Sequence, residues 1–169
     1  MDKPLVNRVA KSGLITISPE DYFPKGEIKN FDLKDYLFQG LILREKEFRT
    51  ALKEHDWSAY KDQHVLVFCS TDAIIPMWAY MLVSSYLREV ARSVFQGTPD
   101  EFIKHEMLRA IENIREEDYR DRRIILKGCG EKPVPPAAYA ALVWKLQPVA
   151  KSIMFGEPCS TVPVFKKKT

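Results

Sequence analysis

The chain has 169 residues and a net charge of +3, with 46% hydrophobic and 29% charged residues. That profile excludes a disordered chain and fits one globular domain spanning residues 1–169. The charge is too small to argue for nucleic acid, and no apolar run approaches the ~20 residues that cross a bilayer.

In chain order, Gly13 to Ile17 reads as a short strand, and Pro19 and Pro24-Lys25-Gly26 mark turns. Asp32 is a helix cap, with Leu33 and Leu37 spaced for one buried helical face. A clearer helix runs from about Arg44 to His55, with Phe48 and Leu52 inward and Glu45 paired with Arg49 on the wet side. Val65 to Cys69 is a continuous apolar run of the kind found in strands covered on both faces. Ser70, Thr71 or Asp72 then caps a long helix reaching roughly Phe95, closed by Gly97. Thr98-Pro99-Asp100-Glu101 opens the next helix, which runs to about Arg115. Arg122 to Leu126 is a second buried strand, left through Gly128-Cys129-Gly130. A helix from Ala137 bends at Pro148 and ends at Gly156, and Val162 to Phe165 forms an edge strand interrupted by Pro163. No internal repeat stands out. The order predicts an α/β fold, a small single domain with a partly parallel sheet flanked by helices.

The three cysteines carry the chemistry. Cys69 and Cys129 follow the two apolar strands, at the edge where α/β proteins bind ligands. If those strands are neighbours, both thiols open into one crevice, each ahead of a helix N-terminus that favours a thiolate. Lys127 adds a cation beside Cys129, and Gly128 and Gly130 admit a close ligand. Cys159 returns after the last helix, and the bend at Pro148 decides whether it reaches that crevice. Cys69, Cys129 and Cys159, with Asp72 as fourth ligand, make a soft set suited to zinc or an iron–sulfur cluster. Two alternatives stand beside it: a thiol enzyme with Cys129 as nucleophile activated by Lys127, and a structural or interaction protein whose cysteines are inert packing. No Cys-x-x-Cys pair exists, and none of His55, His64 or His105 is placed to serve a cysteine. An odd cysteine count and an opening, Met1-Asp2-Lys3-Pro4, without a secretory signal predict a cytoplasmic protein without disulfides. Lys166-Lys167-Lys168 reads as a solvated tail.

Val6-Asn7-Arg8-Val9-Ala10, the stretch from Asp35 to Leu43, the block from Cys69 to Pro76, Lys127-Gly128-Cys129 and the block from Gly156 to Pro163 together resemble domain-of-unknown-function family 2480. The resemblance implies a single-domain cytoplasmic protein and puts all three cysteines inside family motifs. The family's association with genes of iron–sulfur assembly implies iron–sulfur assembly proteins as partners. A weaker likeness, to the U-type iron–sulfur scaffolds, touches Cys69, Asp72 and Cys129 but not their spacings.

Overall fold

The computed structural model describes residues 13–128, 130–157 and 159–168. Cys129 and Pro158, like the Val6–Ala10 motif, lie outside the described residues. The fold is α/β, and the chain divides into two compact units. One is contiguous, Lys25–Phe102; the other is split, Met1–Pro24 with Ile103–Thr169.

In the contiguous unit, β2 (Ile28–Asp32), β5 (His64–Phe68) and β6 (Ser93–Gln96) form a parallel sheet in the order β2-β5-β6. A small antiparallel pair, β3 (Leu37–Phe38) and β4 (Ile42–Leu43), precedes helix α1 (Glu45–Glu54), and α2 (Met77–Leu87) links β5 to β6. Phe48 and Leu52 lie one helical turn apart on α1 and are buried with Val65, Val67, Ala79, Val83 and Leu87. On the wet side of α1, Glu45 and Arg49 pair at 2.8 Å. His64 is buried and satisfied, its Nδ1 against Ser93 Oγ at 2.7 Å and its Nε2 against the Lys25 carbonyl at 2.9 Å.

In the split unit, β1 (Leu14–Ile17), β7 (Arg123–Leu126) and β8 (Ser152–Glu157) are parallel, and β9 (Ser160–Lys166) adds antiparallel to the β8 edge. Helix α3 (Pro99–Glu112) leads into this unit, opened by a capping box in which Thr98 N donates to Glu101 at 2.8 Å and Glu101 N donates back at 3.3 Å. Helix α4 (Pro136–Leu146) links β7 to β8. Met107 and Ile111 repeat the one-turn spacing of Phe48 and Leu52 and join Ile124, Leu126, Ala138, Leu142 and Leu146 in the core.

The absence of a repeat is overturned. A shift of 59 residues carries the 3-10 turn Trp57–Tyr60 onto Glu116–Tyr119, β5 onto β7, α2 onto α4 and β6 onto β8, without a gap. Asp62 and Asp121, at φ 59° and 56°, make the same left-handed turn, donating N–H to the carbonyls of Val90 at 3.0 Å and Val149 at 2.8 Å. Ala79, Val83 and Leu87 fall on Ala138, Leu142 and Leu146, all buried. The opening strands repeat too, with a shift of 14: β1 and the turn Pro19–Tyr22 match β2 and the turn Leu33–Tyr36. The duplication escapes the sequence because its matched residues are scattered and its first strands carry a different shift from the rest.

Three expectations about elements are corrected. The helix drawn from Ser70–Asp72 to Phe95 is shorter: Pro76 caps α2, which ends at Leu87 before β6. The last helix does not bend at Pro148; α4 stops at Leu146, as α2 stops at the matching Leu87 where no proline follows, and the chain enters β8. Asp32 does cap, its carboxylate accepting from Lys34 N at 3.0 Å, but it caps a 3-10 turn and not an α-helix. The edge strand through Pro163 is present as β9. Among the described residues no helix is long and apolar enough to cross a membrane.

Candidate functional site

The two cysteine-bearing strands are not neighbours: β5 belongs to the β2-β5-β6 sheet and β7 to the β1-β7-β8-β9 sheet. Cys69 follows β5 directly and is half-buried, its Sγ 3.2 Å from Thr71 Oγ1. It does not adjoin a helix N-terminus, because α2 starts only at Met77. Asp72 is exposed in the irregular stretch before that helix. Tyr80 lies close enough to Cys69 that, after partial burial, a thiolate there helps hold its phenol above the ordinary value. Cys159 is exposed in the turn between β8 and β9. Because β7 and β8 are parallel, the segments leaving Leu126 and Glu157 emerge on the same edge of one sheet. Among the described residues, no three or more His, Cys, Asp and Glu side chains converge in a metal-binding group.

That edge of the split unit carries a cleft of about 350 Å³. Ser18 and Glu20 enter it from the turn after β1, Lys127, Gly128 and Gly130 from the exit of β7, and Phe155 from β8. Lys132 and Tyr139 complete the wall beside the start of α4. Pairing puts each contributor there: Lys127 N donates to Ile17 O at 2.9 Å, which fixes the β7 exit against the end of β1. Tyr139 donates to the Lys127 carbonyl at 3.2 Å and meets Phe155 edge-on at 5.6 Å. The Phe155 ring covers Gly128, where an added Cβ would come within 2.5 Å of it. Glu20 accepts a short hydrogen bond from Lys132 N and lies over Gly130, so a side chain added there would have to displace its carboxylate. Lys127 is half-buried, and neither it nor Lys132 forms an ion pair among the described residues. Lys132 instead lies over the Phe23 ring, with Nζ 5.0 Å from its centroid.

The contiguous unit holds the matching loop differently. Asp32, at the end of β2, accepts from Lys34 N and Ser70 N, each at 3.0 Å, and its second oxygen lies 3.5 Å from Lys34 Nζ. Partial burial opposes its charge, yet the hydrogen bonds from Ser70 and Lys34 and the Lys34 ammonium win and keep the carboxyl below its usual value. A depressed pKa stabilises the fold at neutral pH, and that contribution fades as pH falls through the folded-state value. The melting temperatures of wild type and Asp32→Asn are therefore expected to differ at pH 7 and to converge as pH drops below about 3.8, the unfolded-state value. A gap that persists undiminished at low pH contradicts this.

Both units also pair tyrosines across the same two turns. Burial first, and Tyr60 second, push Tyr36 up to about 12. Burial and then Tyr119 raise Tyr22 in the same way.

Sequence reasoning reached Lys127, Gly128 and Gly130 because they follow an apolar strand. It missed Ser18, Glu20, Lys132, Tyr139 and Phe155, which only strand pairing gathers; the matched Asp21-Tyr22 and Asp35-Tyr36 after the opening strands were the available signal. No curated protein and no solved structure matches the chain. One family model does, described as Protein of unknown function (DUF2480), over residues 3–167. The match takes in nearly the whole length, cleft and cysteines included, and the chain belongs to the DUF2480 family.

Proposed function

We propose that the chain is a thiol-dependent enzyme whose small anionic substrate binds in the cleft of the split unit, with Cys129 as nucleophile. The observation that carries this reading is a pair of lysines, Lys127 and Lys132, that form no ion pair among the described residues and line a cleft at the C-terminal ends of three parallel strands. Parallel sheets bind ligands at this edge. Cys129 stands in the sequence between two glycines of the cleft wall and two residues after Lys127. A neighbouring ammonium favours the thiolate, the form that attacks.

Alkylation tests it. Iodoacetamide is expected to label Cys129 faster than Cys69 or Cys159, as read by mass spectrometry, and Lys127→Met is expected to slow that labelling about tenfold, the effect of about one unit in thiol pKa. Labelling of Cys129 at the rate of an ordinary exposed thiol, unmoved by Lys127→Met, would sink the assignment.

A second reading is favoured by one observation: the segments bearing Cys129 and Cys159 leave parallel neighbours β7 and β8 on one edge. On that reading the two thiolates contribute to a soft metal site for zinc or an iron–sulfur cluster. An accessory role in iron–sulfur assembly rests on the family resemblance alone. Anaerobic purification followed by metal analysis separates the two: stoichiometric zinc or iron lost in Cys129→Ser supports the metal site over the nucleophile.

A further inference from the structure

We infer that a second copy of this chain docks on the face that α3 and α4 form in the split unit, each copy inserting Trp144 into a hollow of the other. Trp144 stands 87% exposed on α4. Beside it lies an apolar hollow of about 400 Å³, walled by Leu108 and Ile111 from α3 and by Ala140 and Ala141 from α4. On its other side Trp144 borders a second groove, of about 410 Å³, with Pro148 and Phe165. None of these residues lines the cleft, so the inference stands apart from the reading of the cleft as a substrate site.

The internal duplication acts as a control on this face. The shift of 59 residues puts Arg49, Ser85 and Glu89 of the contiguous unit where the split unit has Leu108, Trp144 and Pro148. Those three polar residues are exposed, and Arg49 spends its charge on Glu45. The fold therefore does not require an apolar surface here. Bulk is exchanged at the same time: Met81 and Leu82 stand where the split unit has Ala140 and Ala141. Small residues open the hollow, and a large one at Trp144 supplies a knob beside it.

A knob and a hollow on one patch are what a two-fold contact needs, because the same patch meets itself. Tryptophan is a common anchor of such contacts, since it removes a large apolar area from water in one step. Charge permits the contact: the rim of the hollow carries one acid, Glu112, and one base, Lys145, so the patch does not repel its own copy. Area sets the strength. A tryptophan buries roughly 150–250 Å², so two insertions with the walls they cover amount to about 600–1,000 Å². Standard interfaces bury about 1,200–2,000 Å², which makes this a weak dimer with a dissociation constant of about 10–100 µM.

Sedimentation equilibrium of the full chain from about 1 to about 500 µM brackets that constant. Wild type is expected to pass from monomer to dimer. Trp144→Ser removes the knob and Ala140→Met fills the hollow, each with the residue that the contiguous unit carries. Either change is expected to weaken association about tenfold or more without lowering the melting temperature, since both positions are exposed. An equal mixture of the two variants is expected to recover part of the association, because the knob of one meets the hollow of the other. Met81→Ser, at the matching exposed place of the contiguous unit, is expected to leave the dimer alone. The proposal is overturned by a monomer at every concentration or by growth beyond the dimer. It is equally overturned if both folded variants keep wild-type association, if their mixture recovers none, or if Met81→Ser breaks the dimer and Trp144→Ser does not.

Discussion

Gly156→Ala is expected to destabilise the protein by about 2–5 kcal/mol, from a backbone conformation poorly tolerated by L-residues and from overpacking. Gly156 has φ +122°, and an added Cβ would stand 2.5 Å from the Ser160 carbonyl oxygen, which is backbone held in the β8–β9 ladder. Its counterpart Gly97 has φ +143°, but a Cβ there meets only the Glu101 carboxylate and the Phe95 ring, each at 2.8 Å. Those are side chains that can swing aside. Gly97→Ala therefore carries the conformational cost without a backbone collision and is expected to cost less. Urea unfolding of both variants checks the order, and Gly97→Ala proving the costlier change contradicts it.

Leu87→Ala and Leu146→Ala are each expected to cost about 2–5 kcal/mol, the range for truncating a fully buried leucine. Both side chains are 0% exposed, one at the end of α2 and the other at the matching place in α4. Each is followed by the same turn: Ala91 N donates to Leu87 O at 2.7 Å and Ala150 N to Leu146 O at 2.9 Å. The leucine thus holds both the helix and the reversal that delivers the third strand. Denaturant midpoints of the two variants test the equivalence. A cost below about 1 kcal/mol in either one, the value of a surface change, breaks it.

The sequence spoke most clearly where burial is complete. β5 and β7 are continuous apolar runs because both their faces are covered, and α1 and α3 declare themselves by paired apolar residues one turn apart. It was quiet at the flanking strands. Ile28–Asp32 carries Lys, Asn and Asp, and Ser93–Gln96 begins and ends polar, because a strand at the margin of a three-stranded sheet buries less of itself. Missing β6 and β8 stretched the preceding helices over them and put Cys159 at the end of a helix, when it belongs to a hairpin. The candidate site was half legible for the same reason. Lys127 and its glycines follow a strand that the composition reveals, whereas Ser18 and Phe155 reach the cleft only through the pairing of Ile17 with Leu126 and of Leu126 with Phe155.

The division of the chain has a consequence for how it folds. In the contiguous unit Ile28 pairs with His64 and Val65 with Val94, so its whole sheet is available once residue 102 has left the ribosome. Leu14 pairs with Arg123, so β1 waits until the whole contiguous unit has been made. Such long-range parallel pairing closes a large loop and is slow. During synthesis β1 is then an unpaired strand with apolar Leu14, Ile15 and Ile17, and β2, only ten residues further on, offers the same kind of edge to the same kind of partner. Swapped pairing of β1 onto β5 is the misfolded form this arrangement invites, and the one that early completion of β2-β5-β6 prevents.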